Sequence, residues 1–559
     1  MSTGRAMTDD GIDGARAETI RAGLLGIAEE MRTTLVRTAF SPVIYEVLDF
    51  GISIYDARCR LVAEAPGLTR FLGANDYAVP ILAERIGPRN MAEGDVVVSN
   101  YPYWNAAHSY DATLMAPVFA DGREGPAGYL CVRAHWIDLG AKDPGYVIDS
   151  TDMHQEGLIL PGLKLVKGGV PDAELFELIA FNSRLPETLL GDIRAQLAAL
   201  ATGRNRFRAL VRRHGMAAID AAVERTIAHG RAVARSALAG LPEGRWEAED
   251  WLDGDGLTET PVRMHVVVSH ADGKMEMDFS GSAPATRGPV NLPFGSTLAT
   301  AKVAFKALTS PFAATNAGHL EPLGVRATPG TLFHAVYPAP TFTQWTGIVA
   351  LELIFKALAQ GMPDRLPASS GGDVPGFMMI GTHPDTGRPF ALSSNEGVGW
   401  GGTPRHDGRW AGSHPSQSIV RNTPVEILES RSGMRIERLE LRAGGYGAGT
   451  RRGGPGLRRD IRFTSPGEFL TIAKKTKSPP WSVAGGAEAA PTRMTLNPDT
   501  GSARRLGTSR TLVAPGDTVR IETAGGAGHG PAKERQRALL EADLADGFAA
   551  PDKTRGDAA

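Results

Sequence analysis

The sequence has few cysteines and no long hydrophobic run. Only Cys59 and Cys131 occur among its 559 residues, which excludes a disulfide framework and fits a reducing compartment. No apolar run is long enough to span a bilayer, and the N-terminal stretch has no hydrophobic signal core. From these features we expect a cytoplasmic protein that does not enter a membrane.

A strong charge of either sign is also missing. The chain has 60 Lys and Arg residues against 62 Asp and Glu residues, so its net charge is -2. Nucleic-acid binders normally have a basic surface, and this balance argues against that class of protein.

Familiar nucleotide and nucleophile motifs are absent as well. The chain has no G-x-x-x-x-G-K-[ST] phosphate loop and no G-x-S-x-G nucleophile elbow. Residues 397–402 (GVGWGG) satisfy G-x-G-x-x-G by spacing, but no helical pattern follows, so we do not interpret them as a dinucleotide site. If the protein depends on ATP, we expect the nucleotide to lie on another polypeptide.

Glycine, proline and apolar residues are abundant. The 67 glycines and 38 prolines predict many tight turns, and 42% hydrophobic residues are enough for a sizeable core. We expect an α+β fold that is large, multidomain and loop-rich, with mixed β-sheets, helical insertions and an all-β C-terminal region.

Periodicity places the main elements. Helical spacing predicts helices over 16–40 and 188–240, with shorter ones near 296–309, 347–360 and 531–546. Alternation from Asp49 onward predicts a β-hairpin with Asp49 on its polar face. The predicted units are a disordered lead (1–18), an N-terminal α+β domain with the metal site (19–260), a middle α+β domain (261–434), a C-terminal β domain (435–530), and a terminal helix and tail (531–559).

Histidines and carboxylates are concentrated in one short stretch. His108 and Asp111 form an H-x-x-D pair, His135 lies near a strand end, Asp138 follows in a turn, and Asp49 adds a carboxylate. Imidazoles combined with carboxylates suit Zn, Mn or Fe, and a site with an open position can activate water. The alternative is that the histidines are structural hydrogen-bonding groups and the aspartates form turns, as Asp138 before Leu-Gly suggests.

Cys131 alternates onto the same strand face as Arg133 and His135. This placement allows a nucleophilic thiol, but a small buried side chain is the simpler interpretation.

Eleven short blocks, in order along residues 20–545, resemble the B-type subunits of the hydantoinase/oxoprolinase family. That family includes ATP-dependent hydantoinases, oxoprolinases, lactamases and ketone carboxylases of the acetone and acetophenone type. The matching blocks are FSPVIYEVLDF (40–50), NYPY (100–103) with HSYD (108–111), RAHWIDLG (133–140), QEGLILPG (155–162), NSRLP (182–186), GDIRAQ (191–196), DFSGS (278–282), PVN (289–291), TPVEILE (423–429), RRGGPG (451–456) and AGGAGHG (524–530).

The resemblance implies a set of metal ligands. Carried over residue by residue, the ligands are Asp49, His108, Asp111 and His135. The chain departs from the family where Trp136 replaces a frequent second histidine, where Leu-Gly-Ala follows Asp138, and where Asn-Tyr-Pro-Tyr replaces Asn-Asp-Pro-Tyr. These departures leave the ligands in place but alter the surrounding pocket.

The remaining predicted site residues are Asp138, Arg133 and Glu156. We expect Asp138 to orient a ligating imidazole. Arg133 and Glu156 are candidates for contact with the substrate or for proton handling.

The resemblance also implies a division of labour within a hetero-oligomer. An A-type partner subunit would bind ATP and Mg and phosphorylate a small-molecule substrate, and this chain would act on the activated intermediate. Three functions remain open: hydrolysis of a cyclic amide (a hydantoin, oxoproline or a lactam), carboxylation of a ketone, or a non-catalytic scaffold for the A-type subunit.

Overall fold

The computed structural model describes residues 12–417 and 419–548. Within those ranges the α-helices are α1 (Gly14–Thr38), α2 (Pro42–Tyr45), α3 (Thr69–Ile86), α4 (Pro102–Asn105), α5 (Ala173–Phe181), α6 (Pro186–His214), α7 (Met216–Ala239), α8 (Phe294–Thr309), α9 (Ala317–Leu320), α10 (Trp345–Leu358), α11 (Val425–Arg431) and α12 (Arg537–Ala545). Short 3-10 helices cover Pro88–Asn90, Met153–Glu156 and Ala532–Glu534.

The strands of the described ranges form four sheets. In chain order they are β1 (Phe50–Asp56), β2 (Leu61–Ala65), β3 (Val96–Ser99), β4 (Asp111–Val118), β5 (Gly128–His135), β6 (Pro161–Lys167), β7 (Val170–Pro171), β8 (Gly244–Leu252), β9 (Val262–Ala271), β10 (Lys274–Asp278), β11 (Leu323–Arg326), β12 (Gly376–Thr382), β13 (Pro389–Asn395), β14 (Met434–Leu441), β15 (Leu457–Phe463), β16 (Gly467–Ile472), β17 (Arg493–Leu496), β18 (Arg504–Leu506), β19 (Ser509–Val513) and β20 (Thr518–Glu522).

Three of the four sheets are antiparallel. The first has the order β2-β1-β5-β4-β3-β6-β7, the third β13-β12-β16-β19 and the fourth β14-β15-β20-β17-β18. The second, β11-β10-β9-β8, is mixed because β10 and β11 run parallel. One mixed and three antiparallel sheets, inserted helices and a C-terminal region built mainly of strands confirm the predicted α+β class.

The seven-stranded sheet has helices on both faces. Every residue of β4 and β5 is buried, which explains why their sequences are apolar without clear alternation. Helix α1 packs through a stripe at helical spacing, and this stripe belongs to the same hydrophobic core as the sheet. Its buried residues include Ile20, Leu24, Ile27, Met31 and Leu35. This packing fixes the strand ends on which the histidines and aspartates lie.

Glycine-rich loops interleave in the C-terminal half. Gly454 and Gly447 donate backbone hydrogen bonds to Trp400 and Gly526, respectively. A Cβ at Gly453 would lie 1.8 Å from the carbonyl oxygen of Gly526, so no other residue fits this approach. The glycine content therefore serves close contacts between backbones as well as turns.

The predicted helices agree with the structure within a few residues. The stretch 16–40 corresponds to α1, while 188–240 forms two helices separated by Gly215, which has a φ of 76°. The hairpin after Asp49 is also confirmed, as the antiparallel pair β1–β2. The predicted domain boundaries remain predictions. Residues 1–11 of the predicted lead and 549–559 of the predicted tail lie outside the described residues.

In the part of the chain that the structure describes, no helix combines the length and hydropathy needed to cross a bilayer.

Candidate metal centre

Four predicted ligands come together at one edge of the seven-stranded sheet. Asp111 opens β4 and His135 closes β5, and the antiparallel register pairs the two directly. Asp49 immediately precedes β1, and its carbonyl oxygen accepts a hydrogen bond from the His135 backbone N–H at 3.2 Å. His108 lies in the turn before β4. Strand register therefore brings together residues that are up to 86 positions apart in the chain (135 minus 49).

Asp111 lies between the two imidazoles. Its Oδ1 is 3.1 Å from His135 Nδ1, and its Oδ2 is 3.2 Å from His108 Nε2. One ligand atom from each of these three residues lies within 4.8 Å of the other two. Asp111 is buried, and His135 is almost completely so. A metal site with an open position uses three protein ligands, which is the number that comes together here.

The Asp49 carboxylate indicates that a cation fits this site. Its Oδ1 is buried and has no hydrogen-bond partner, although Asp49 lines the same cavity as the other three residues. Burial raises the pKa of Asp49 to about 7, and Asp111 adds to this effect while His135 opposes it. Burying a carboxylate oxygen without a partner is costly, and a cation would remove that cost. Two imidazoles and two carboxylates fit Zn, Mn or Fe.

The two histidines differ in their electrostatics. Burial lowers the pKa of His108 to about 3 despite the neighbouring Asp111, so His108 is neutral and able to ligate at neutral pH. For His135, burial also acts to lower the pKa, but the hydrogen bond and charge of Asp111, together with the charges of Asp49 and Asp192, outweigh it and the net direction is upward. The pKa of Asp111 is lowered, since the two histidines together outweigh its burial.

A small cavity of about 40 Å³ opens onto these residues. The rest of the cavity lining, which we call the wall side, was not predicted from the sequence. Gln344 has a buried Nε2 without a partner, while its Oε1 accepts from Arg70 at 3.1 Å. The wall comprises Arg70, Tyr146, Thr343, Gln344, Trp345, Ile348, Asn395 and Gln417, together with Leu68 and Phe71.

The Asp138 carboxylate bonds to groups other than the two imidazoles. Its Oδ1 accepts from the Tyr110 hydroxyl at 3.1 Å and from Arg184 Nη1 at 2.9 Å, and its Oδ2 accepts from the Arg184 backbone N–H at 2.5 Å. Since Tyr110 directly precedes Asp111, Asp138 supports the ligand through the backbone. Its predicted role in orienting an imidazole stays a prediction.

Arg133 and Glu156 are both buried next to the site. Arg133 donates to the carbonyl oxygen of Asn105 at 2.6 Å, and Asn105 Nδ2 donates to the Asp111 carbonyl at 2.5 Å. Glu156 accepts from the backbone N–H groups of Thr341 and Phe342 at 2.8 and 3.0 Å. The Phe342 ring lies 4.7 Å from the His108 ring, so Glu156 holds the segment that packs on this ligand.

Trp136, which stands where the family often has a second histidine, is turned away from the cavity. Its Nε1 donates to Gln196 Oε1 on α6 at 2.7 Å, and the ring is fully buried. The substitution therefore places a core residue at this position. Cys131 is a buried free thiol, in agreement with the simpler interpretation.

The family model for hydantoinase B/oxoprolinase matches residues 13–532. A protein of uncharacterised function from Methanocaldococcus jannaschii is 31% identical over 96% of this chain and 94% of its own length. A putative D-/L-hydantoinase subunit from Pseudomonas sp. (strain NS671) is 27% identical over 97% of this chain and 94% of its own length.

Two solved structures have a similar fold. The ATP-dependent caprolactamase from Pseudomonas jessenii superposes with a TM-score of 0.89 at 23% identity, over 97% of this chain and 96% of that chain. A nucleotide-free acetone carboxylase superposes with a TM-score of 0.87 at 16% identity, over 97% of this chain and 78% of that chain. At these identities the likeness establishes the fold alone.

Proposed function

The chain belongs to the hydantoinase B/oxoprolinase family, and we propose that it is the metal-containing subunit of an ATP-dependent enzyme that hydrolyses a cyclic amide. The observation that carries this proposal is the group of His108, Asp111 and His135 on adjoining strand ends, with the unpartnered Asp49 oxygen beside it. Membership of a family whose names include hydantoinase and oxoprolinase supports an ATP-dependent amidohydrolase or carboxylase.

ATP would be bound, with Mg, by an A-type partner subunit in a hetero-oligomer. The chain contains no phosphate loop, and the Pseudomonas relative is named as one subunit of a hydantoinase, which supports this division. An amide oxygen is a poor leaving group, whereas a phosphorylated one is a good leaving group. Transfer of the terminal phosphoryl group to the amide oxygen therefore prepares the ring carbon for attack by water. The C–N bond then breaks as the ring nitrogen takes up a proton, and a second water hydrolyses the resulting acyl phosphate to a carboxylate and inorganic phosphate.

When bound, a divalent metal supplies a Lewis acid that polarises a substrate oxygen and lowers the pKa of water. The chain's own residues would orient the substrate. The free Nε2 of Gln344 can donate to a carbonyl oxygen, and the half-buried Arg70 fixes the Gln344 side chain and backbone at 3.1 and 3.0 Å. Trp345 and Phe342 would limit the access of bulk water, since both are buried beside the ligands.

A second candidate function is ATP-dependent carboxylation of a ketone. The superposition on acetone carboxylase, over 97% of this chain, favours it. A cavity of about 40 Å³ also suits a small substrate. In that reaction phosphorylated bicarbonate would release carbon dioxide and inorganic phosphate, and the ketone, after loss of an α C–H proton, would form a carbon–carbon bond to that carbon dioxide.

The test is turnover by the purified complex of this chain with its A-type subunit. The complex receives ATP and, in separate reactions, hydantoin, 5-oxoproline, caprolactam or acetone with labelled bicarbonate. We expect ADP release coupled to a ring-opened product. Label incorporation from bicarbonate would identify a carboxylase instead, and turnover that survives removal of all four ligands would identify a scaffold.

A further inference from the structure

A second and larger cavity, of about 510 Å³, lies near the loop after β8 and the strands β17 and β18. Its size is in the range of pockets that hold small metabolites and nucleotides. Among the described residues, none that lines this cavity also lines the cavity of the metal centre. The proposed catalytic function leaves this cavity unused.

Five cations line this cavity: Lys474, Lys477, Arg493, Arg504 and Arg505. Within the described part of the chain, the three arginines form no ion pair with a carboxylate, and Arg504 makes only a long hydrogen bond of 3.4 Å to Thr511. Arginine forks match the geometry of phosphate oxygens, and arginines without a carboxylate partner around one cavity create a positive potential.

Lys474 is the most informative of these residues. It is only 1% exposed, and its Nζ has no hydrogen-bond partner among the described residues. An ammonium group buried in this way is costly unless a counter-charge accompanies it. Burial lowers the pKa of Lys474 to about 8, although Asp373, Asp255 and Asp253 act in the opposite direction. None of the three bonds directly to the Lys474 ammonium group, so a buried positive charge remains in the cavity lining.

Two carboxylates also line the cavity, against five cations. Asp253 Oδ2 accepts from the backbone N–H and the hydroxyl of Thr476 at 2.5 and 2.7 Å. Glu259 pairs with Lys477 at 3.0 Å and has a side chain that is 90% exposed. Among the described residues, four cations therefore remain without a carboxylate partner around one cavity.

We propose that this cavity binds a small molecule carrying two or more phosphate charges, at a site separate from the metal centre. Lys474 contributes a buried positive charge in the cavity lining, and Arg493, Arg504 and Arg505 contribute guanidinium groups around it. The volume accommodates a ligand of nucleotide size, so the phosphates need not be the whole molecule.

The experiment titrates the full-length chain with inorganic pyrophosphate by calorimetry at constant ionic strength. We expect saturable binding to the wild type. Lys474→Met should weaken it about tenfold, because the variant loses a buried positive charge that acts on the ligand across a low-dielectric interior. Arg505→Gln, at an exposed position, should weaken it about two- to fivefold. Arg435→Gln, an exposed arginine on β14 in the same sheet, is the matched control and should leave the affinity unchanged.

Thermal unfolding separates a binding role from a structural one. The unfolding midpoint shows whether Lys474→Met stays folded at the temperature of the titration, so that a loss of affinity is not mistaken for a loss of fold. Pyrophosphate held by a metal in the other cavity would be insensitive to both substitutions. Binding that is absent from the wild type, or that is unchanged in both Lys474→Met and Arg505→Gln, overturns the proposal. If Lys474→Met fails to fold, the double variant Arg504→Gln/Arg505→Gln decides by the same criterion.

Discussion

The two sides of the metal-centre cavity are built in different ways. The ligand side, Asp49, His108, Asp111 and His135, lies at or a few residues before strand ends of one sheet, so strand register helps to position it. The wall side adds Gln344, Trp345, Asn395 and Gln417, from three later segments, to residues of the first half of the chain. The position of these later residues depends on how the second half of the chain packs against the first. We therefore expect metal binding and substrate selection to be separable properties.

Loss of a ligand should have the largest effect. We expect His135→Ala to lower kcat of the complex about a thousandfold, because several kcal/mol of metal-derived transition-state stabilisation would be lost. Steady-state assay with the preferred substrate measures this loss. His154→Ala is the control, since that imidazole is exposed and bonds to the Tyr337 hydroxyl. A kcat for His135→Ala within a few-fold of wild type would remove this residue from the ligand side.

Substitution of Asp49 tests whether the metal has four protein ligands or three. We expect Asp49→Asn to weaken metal affinity about ten- to a hundredfold, because the substitution replaces an anionic oxygen by a neutral amide. Competition with a chromogenic chelator measures the affinity. The control is Asp121→Asn, in an exposed turn. Asn75→Asp is unsuitable, because the Asn75 side chain bonds to the buried Ser53. Equal affinity of Asp49→Asn and wild type would limit the ligand set to three.

A substitution on the wall side should change the KM for the substrate while the metal stays bound. Gln344→Met keeps the length of the side chain and removes the free amide N–H, so we expect KM to rise about tenfold with little change in kcat or metal content. The control is Gln360→Met, whose amide lies at an exposed position and bonds to the Glu247 carbonyl. Loss of metal from Gln344→Met would show that the two sides are not separable.

Substitution of Glu156 should have the smallest effect, which is on the pH dependence of the free energy of unfolding. Burial raises its pKa from 4.5 to about 8, against the opposing bonds from Ser150, Thr341 and Phe342. Between these values the unfolded state releases a proton that the folded state keeps, so raising the pH favours unfolding. Glu156→Gln keeps the acceptor oxygen and removes this titration. Its free energy of unfolding should therefore fall less than that of wild type between pH 5 and pH 9, by about 1 kcal/mol or more.

Denaturant unfolding at both pH values measures that difference. Identical pH dependence in the two proteins would contradict a neutral buried carboxyl at position 156.

Local patterns predicted the elements of the fold well but not their arrangement. The helix over 16–40 and the hairpin after Asp49 follow from spacing within one segment, and both agree with the structure. The pairing of β1 with β5, which brings Asp49 to His135, joins segments far apart in sequence and has no local signal. The break at Gly215 was also missed, because apolar spacing continues through it.

The site was predictable to the extent that its residue types are unusual. Imidazoles and carboxylates at close spacing drew attention to His108, Asp111 and His135, and the family resemblance added Asp49. Amide, aromatic and aliphatic residues such as Gln344 and Ile348 occur throughout any core. Only tertiary packing places them at the cavity, so the sequence contained no signal for the wall side.

The metal content of the purified chain tests the central claim most directly. Mass spectrometry of the elements, after removal of loosely bound ions, compares wild type with His108→Ala and His135→Ala, with His154→Ala as the control. We predict about one equivalent of a divalent transition metal in wild type and in the control, and less than about a tenth in either ligand variant. Full metal content in both ligand variants would contradict the assignment of this strand edge as the metal centre.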